Sequence, residues 1–365
     1  MNFLKNKIVL VTGHTGFKGS WLSAWLVSMG AKVIGLSIDI PTVPSNFQAS
    51  KLQEIIEDHR IDICDFEKVS SLVEEVQPDF VFHLAAQALV LPSYLSPLKT
   101  IQTNALGTGS ILEAVRKLTK RVNIIMITSD KVYDNVEWTW GYRENDKLGG
   151  RDPYSASKGM AELAINTYIH SFFNKKDSNV RIAIGRAGNV IGGGDWAANR
   201  IVPDCMEAWS NEAEVDIRNP SATRPWQHVL EPLSGYISLA KNLEKNFDIS
   251  GEAYNFGPLA SQNHSVSELI DEMGKYWENI RWNNTSGHKE NVHEAGLLKL
   301  NCDKALHELN WMPTLHFEET VKMTVEWYKE YYLNQKFSMY DFTIKQIEAY
   351  QAIAKSRNIS WAKDD

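Results

Sequence analysis

Tyr154 and Lys158 stand four residues apart in the run Tyr-Ser-Ala-Ser-Lys. On a helix that spacing puts both side chains on one face. A lysine charge beside a phenol lowers the phenol's pKa, so Tyr154 can accept a proton near neutral pH. A second set of chemically able residues is Thr128-Ser129-Asp130-Lys131-Val132-Tyr133. It directly follows Ile124–Ile127, which reads as a buried strand. Asp130 and Lys131 are therefore expected at the carboxyl edge of a sheet, where open α/β folds bind their ligands. Together they offer an acid and a base. Either group could also be an ordinary surface pair, and what favours chemistry is the company they keep.

That company is a glycine-rich loop. Val11-Thr12-Gly13-His14-Thr15-Gly16-Phe17-Lys18-Gly19 joins an apolar run, Ile8–Val11, to a helical pattern through Trp21, Leu22 and Trp25. Glycines at 13, 16 and 19 depart from the G-x-G-x-x-G fingerprint but meet the same need. A tight turn brings backbone N–H groups close to a pyrophosphate at a helix N-terminus. Asp39 ends the next strand pattern, 20 residues beyond Gly19. An acid there hydrogen-bonds the adenosine ribose and repels a 2′-phosphate, which favours NAD over NADP. Asp62 and Ile63 follow the expected third strand, where the adenine edge would be held. A base beside a nicotinamide is what alcohol oxidation requires, so the loop and the Tyr154/Lys158 pair complete each other.

The elements that must position these residues follow from hydrophobic patterning. Near-continuous runs at 8–11, 32–36, 80–84, 124–127 and 180–184 alternate with helical stretches. Such runs are the mark of parallel strands covered on both faces. The expected fold is α/β, a Rossmann-type doubly wound parallel sheet with a smaller, mixed C-terminal lobe. Residues 1–190 read as the dinucleotide-binding domain, with later segments returning to it. Residues 191–365, rich in Trp, Asn and Pro, read mainly as a substrate-binding lobe followed by C-terminal helices. The chain has 365 residues, 43% hydrophobic and 23% charged, with a net charge of −7. That balance suits a soluble globular protein and argues against nucleic acid as a partner. No apolar run approaches the ~18 residues of a membrane span, and no signal-peptide pattern precedes the first strand. Cys64, Cys205 and Cys302 are far apart and lack metal-ligand spacing. They read as reduced thiols of a cytoplasmic protein with no metal site. His83 reads as a satisfied core residue.

The loop Gly13–Gly19, the segment His83-Leu84-Ala85-Ala86 and the Tyr154/Lys158 pair resemble the extended short-chain dehydrogenase/reductase superfamily. Ser129-Asp130-Lys131 resembles the Thr-Asp-Glu triplet of its nucleotide-sugar 4,6-dehydratases. Longer strings are similar to the branch of that family acting on CDP-glucose. They are Gly13–Trp21, Thr128–Tyr133, Trp140–Asn145, Arg186–Trp196 and Arg224–Val229. The resemblance runs from about residue 5 to about residue 330.

It implies NAD contacts from Gly13, Thr15, Gly16, Phe17, Lys18, Gly19, Asp39, Asp62, Ile63, Leu84, Ala85, Ala86, Gln87, Asn104, Thr128, Tyr154 and Lys158. It implies nucleotide-sugar contacts from Gln87, Ser129, Asn189, Arg200, Ile201, Arg218, Arg224, Trp226 and His228, the arginines suiting a diphosphate through their planar donor forks. The implied catalytic residues are Ser129, Asp130, Lys131, Tyr154 and Lys158.

The implied chemistry is an internal redox cycle. Tyr154 takes the sugar 4-OH proton as hydride passes from C4 to NAD. The 4-ketone acidifies C5–H, water leaves across C5–C6 with Asp130 as the acid, and hydride returns to C6. Ser129 would bond the 4-oxygen. Lys131 stands where most relatives carry a Glu base. It acts either as a neutral base with a lowered pKa or as a cation that stabilises the enolate. The rival readings are a 4,6-dehydratase for a dTDP- or UDP-linked sugar, a nucleotide-sugar epimerase, and a non-catalytic NAD sensor. An epimerase needs no acid to expel water, and a sensor needs no Tyr154, Lys158 and Asp130 together. The resemblance further implies deoxysugar (O-antigen, lipopolysaccharide) synthesis and a homodimer or homotetramer built on the Tyr-x-x-x-Lys helix.

Overall fold

The computed structural model describes residues 3–175, 178–285 and 297–363. Seven strands form the central sheet: β1 (Ile8–Thr12), β2 (Lys32–Ser37), β3 (Glu57–Arg60), β4 (Phe80–His83), β5 (Val122–Ile127), β6 (Val180–Ala187) and β7 (Ala253–Phe256). Their order across the sheet is β7-β6-β5-β4-β1-β2-β3, with every pairing parallel. The order reverses between β1 and β4, which opens the crevice where doubly wound sheets take their ligands.

The two faces of the sheet feed two separate cores, because successive strand residues point to opposite sides. Val9, Val11, Phe80, Phe82 and Ile125 pack on one side with Trp21, Trp25, Leu233, Tyr236, Trp327 and Tyr350. Leu10, Val81, Ile124, Met126 and Ile182 pack on the other with Val69, Leu112, Val115 and Ile165. The helices Phe17–Ser28, Leu230–Lys245 and Met339–Ser356 cover the first face. The helices Phe66–Val76, Gly107–Arg116 and Pro153–Tyr168 cover the second.

Residues after 190 thus divide their work. The helix Leu230–Lys245, strand β7 and the C-terminal helix build on the sheet. Short pairs, Val190–Ile191 with Gln227–His228 and Thr223–Arg224 with His264–Ser265, lie beyond its carboxyl edge. Glu231 fastens the tail to the body. Its buried carboxylate accepts from the backbone N–H groups of Thr314 and Leu315 and from the Tyr350 hydroxyl, the last at 2.8 Å. Among the described residues no helix is long and apolar enough to cross a membrane.

Candidate active site

The glycine loop leaves β1 and turns into the helix Phe17–Ser28. Gly13 lies at φ +75°, and a Cβ there would stand 2.7 Å from the Ala85 backbone nitrogen. A Cβ on Gly19 would stand 2.1 Å from the Gly13 carbonyl oxygen. Only glycine fits both positions, so the turn lies flat against the helix end. No side chain caps that end, where Gly16 is the N-cap. Its first-turn N–H groups are thus directed at the crevice, the arrangement a pyrophosphate requires. The Thr15 hydroxyl donates to the Asp39 carbonyl at 2.7 Å, which sets exposed Asp39 beside the loop at the end of β2. The residues present therefore fit a dinucleotide with a free 2′-hydroxyl.

Leu84, Ala85, Ala86 and Gln87 leave β4 directly opposite. Thr12 holds them, its hydroxyl accepting from Ala85 N at 3.2 Å. Asn104 sits in a π-helical turn, Gln102–Leu106, and ties two parts of the site together. Its carboxamide bonds both backbone groups of Gln87 at 2.8 and 3.0 Å and donates to Ser157 on the Tyr154 helix at 2.8 Å. Such turns recur where a helix must present a side chain at a functional site. The Gln87 side chain is spent locally, closing on both backbone groups of Leu89. Asp62 is likewise exposed and caps its own turn through Cys64 N at 2.9 Å, next to buried Ile63. His83 has both ring nitrogens engaged, by Thr12 at 2.8 Å and Thr108 at 3.0 Å, and burial holds it down to about 3.

The reaction-edge residues converge. Ser129 and Asp130 follow β5 and are buried, as are Tyr154 and Lys158 on the helix Pro153–Tyr168. That helix starts sharply, with Pro153 in the first turn and Asp152 accepting from Ser155 N at 2.9 Å. Ser129 Oγ donates to Asp130 Oδ1 at 2.9 Å, Lys131 Nζ lies 3.5 Å from the same oxygen, and the Ser129 hydroxyl is near enough to Tyr154 to pull its pKa down. Lys18 brings its ammonium from the glycine loop into range of Asp130, Arg200, Lys158 and Lys131. Burial among those cations drives it down to about 7, against the pull of Asp130. Arg200 is anchored on Asp195 at 2.7 Å, and Arg224 lies close enough to Lys131 to act on its charge.

One expectation is corrected by this electrostatic arrangement. Burial pushes the Tyr154 phenol up rather than down, against the pull of Lys131, the Ser129 hydroxyl and Arg200. Lys158 is itself held down to about 8 by burial, partly offset by the Glu162 carboxylate. Lys131 feels burial too, but Asp130 and Tyr154 outweigh it, so its pKa rises and it stays a cation.

Behind the catalytic strand lies a buried network. Glu162, one turn beyond Lys158, accepts from Thr128 Oγ1 at 2.6 Å and from Arg186 Nε at 2.7 Å. Its second oxygen pairs with Arg186 Nη2, and Arg186 Nη1 donates to the Tyr133 hydroxyl at 2.8 Å. Both ends of the Thr128–Tyr133 segment are thereby pinned.

The residues expected to meet the nucleotide sugar lie past β6. Asn189 is half-buried just past β6, and half-buried Ile201 opens the helix Ile201–Ser210. Arg218 is exposed, beyond the short strand Val215–Ile217, in range of Asp204. His228 is corrected: it is 0% exposed, with its ring edge-on to Trp21 in the core. Trp226 is also buried, its indole N–H held by the His264 carbonyl at 3.1 Å. Their neighbours Pro225 and Gln227 face the cavity at Asp130 instead. Strand alternation sends adjacent residues to opposite sides, and the expected contacts were displaced by one position.

Residues 10–324 match the family model of GDP-mannose 4,6-dehydratase. The chain belongs to that dehydratase family. Within it, the chain is 48% identical over 332 residues to a CDP-glucose 4,6-dehydratase of Salmonella typhimurium, covering 90% of this chain and 92% of the relative. A dTDP-glucose 4,6-dehydratase of Haemophilus influenzae is 26% identical, with 88% and 97% covered. Among solved structures, an epimerase from Methanothermobacter thermautotrophicus superposes with a TM-score of 0.76 at 26% identity, covering 91% of this chain and 95% of its own. A dTDP-glucose 4,6-dehydratase from Bacillus anthracis in complex with NAD has a TM-score of 0.72 at 20% identity, with 89% and 97% covered, and supports the fold.

Three residues of this dehydratase site escaped sequence reasoning: Glu162, Arg186 and Gln227. Glu162 had a usable signal, since it falls four residues after Lys158 on the same helix face. Arg186 and Gln227 fall inside the strings Arg186–Trp196 and Arg224–Val229, but their partners are remote in sequence, so nothing local says what they meet.

Proposed function

We propose that the chain catalyses the NAD-dependent 4,6-dehydration of CDP-glucose, yielding CDP-4-keto-6-deoxyglucose and water. The observation that carries this is the Ser129-Asp130-Lys131 turn, with Ser129 and Asp130 buried, set against Tyr154: it provides an acid for expelling water, which an epimerase does not need. The 48% identity to a CDP-glucose enzyme supports the nucleobase. Residues 1–190 serve mainly the dinucleotide, and 191–365 mainly the nucleotide sugar and the C-terminal helices.

NAD would lie against Gly13–Gly19, Asp39 and Leu84–Gln87, and it supplies the reversible two-electron chemistry at C4 and C6. The chain's own residues move the protons. Tyr154 takes the 4-OH proton while Ser129 holds the 4-oxygen. Asp130 delivers a proton to the departing 6-oxygen. Lys131, kept cationic by Asp130, stabilises the negative charge that develops as the C5 proton passes to the Asp130 carboxylate, which hands it on to the 6-oxygen. The arginine-rich wall at Arg200 and Arg224 suits the diphosphate.

Kinetics should show the Lys158 charge. As pH rises through about 8 that charge is lost, and kcat/KM is expected to fall. Lys158→Arg keeps its charge past pH ~12 and should carry the alkaline limb upward. A limb that stays put in the arginine variant would assign it to another group.

Homo-oligomerisation is part of the proposal. Leu95 and Leu98 are 85% and 77% exposed, and Leu106, Met160, Leu163 and Phe172 add to the apolar surface of the helices around them. Such a surface suits a subunit interface. A cytoplasmic location suits a substrate and cofactor whose diphosphates cannot cross a bilayer unaided.

The decisive assay gives the purified protein NAD with CDP-, dTDP- or UDP-glucose and follows loss of one water by mass. Turnover of CDP-glucose alone supports the proposal. Turnover of another sugar keeps the chemistry and overturns the nucleobase. No water loss with any of the three overturns the dehydratase reading.

A further inference from the structure

A small cavity of about 20 Å³ opens against Asp130. Gly188, Pro225, Gln227, Gly257 and Leu300 are among the residues lining it. Gln227 is 1% exposed, and its Nε2 donates to the Phe256 carbonyl at 3.3 Å, which fixes the carboxamide. The Oε1 that remains is buried without a hydrogen-bond partner. A buried acceptor left unpaired is costly, so its retention beside the catalytic acid calls for a donor. On the other side, Gly188 lets the chain pass close to Asp130: a Cβ there would stand 3.0 Å from Oδ2. The cavity exceeds the ~10–15 Å³ that one water needs, and Asp130 and Gln227 provide the minimum of two polar partners.

We propose that this cavity receives the water eliminated from the sugar, with Gln227 Oε1 as its acceptor. The inference rests on the dehydratase reading. As the C5 proton passes to the Asp130 carboxylate, the C5–H electrons form the C5=C6 bond, and the C6–O bond breaks with its electron pair leaving on the oxygen. The Asp130 proton adds to that oxygen, giving water and an Asp130 carboxylate. The new water donates one hydrogen to Gln227 Oε1 and the other back towards Asp130. C6 is thereby cleared while the C5=C6 bond awaits reduction, and the reverse addition is disfavoured. Gln227 acts through the leaving oxygen, so its influence falls on dehydration and not on oxidation at C4.

Gln227→Met removes the acceptor at nearly constant length. Loss of one hydrogen bond to the leaving group is expected to slow turnover about tenfold. The KM for CDP-glucose and the rate of first-turnover C4 oxidation should be unchanged, so reduced nicotinamide accumulates on the enzyme. Unchanged turnover would overturn the proposal. So would a raised KM at constant kcat, which would mark Gln227 as a ground-state substrate contact. Should Gln227→Met fail to fold, Gly188→Ala, which crowds the cavity from its other wall, is judged by the same outcomes. A crystal structure of the wild-type protein gives an independent reading. A water within hydrogen-bond distance of Asp130 and Gln227 Oε1 supports the site, and a dry cavity overturns it. Failure of the wild type to dehydrate any nucleotide sugar would instead be failure of the parent reading.

Discussion

Tyr154→Phe is expected to cut kcat by roughly a hundred- to ten-thousand-fold, the range for losing a positioned general base. The phenol is buried, and the Ser129 hydroxyl and the cations Lys131 and Arg200 draw its pKa down against burial. Phenylalanine keeps the ring and its packing while removing the group that takes the 4-OH proton. Binding of NAD and CDP-glucose should therefore survive. The effect must appear at the first chemical step, so no reduced nicotinamide should form in a single turnover. This separates Tyr154 from Asp130. Asp130→Asn should permit oxidation and stop at dehydration, leaving reduced nicotinamide on the enzyme. Rapid-mixing absorbance measurements on the two variants check both statements. Equal accumulation in both would show that the roles of base and acid are wrongly divided.

The second large effect is on stability. Glu162→Gln is expected to cost about 3–5 kcal/mol, because it strands the buried Arg186 guanidinium beside a neutral amide. Glu162 and Arg186 are both almost wholly inaccessible to solvent, so screening by water does not soften the loss. The shift of the urea midpoint measures it. Thr128→Val, which removes only the 2.6 Å bond from Thr128 to Glu162, should cost nearer ~1 kcal/mol. A functional signature accompanies the stability loss. Glu162 supports the Lys158 charge, which burial holds down to about 8. Without the carboxylate that pKa falls further, and the alkaline limb of kcat/KM should move to lower pH. An unshifted limb in folded Glu162→Gln enzyme would leave Glu162 with a packing role alone.

Much of the fold was legible because its signals are local. β1, β2, β4, β5 and β6 are buried on both faces, and that burial leaves runs of Val, Ile, Leu and Phe in the chain. Two strands were harder to read. β3, Glu-Asp-His-Arg, is a polar edge strand, paired with β2 alone. β7 is four residues long and joins the sheet only through β6. Long-range pairing creates both, and nothing in their own sequence announces it.

The same division runs through the site. Sequence by itself determined the glycine turn, whose backbone conformation demands residues without a Cβ, and the Tyr154/Lys158 pair, whose helical spacing makes them neighbours. It also placed Ser129, Asp130 and Lys131 at a strand end. The tertiary structure decided which charges those groups feel. Lys131 and Arg200 act on the phenol, Lys18 joins the cation cluster, and Glu162 meets Arg186 from a strand 24 residues away. It also decided that Gln227 and not His228 faces Asp130, a choice that turns on one step of strand alternation. A backbone turn or a helical spacing is set within a few residues, where bonded geometry rules. Burial and charge proximity are set by which segments meet in space, and they depend on the whole chain having folded.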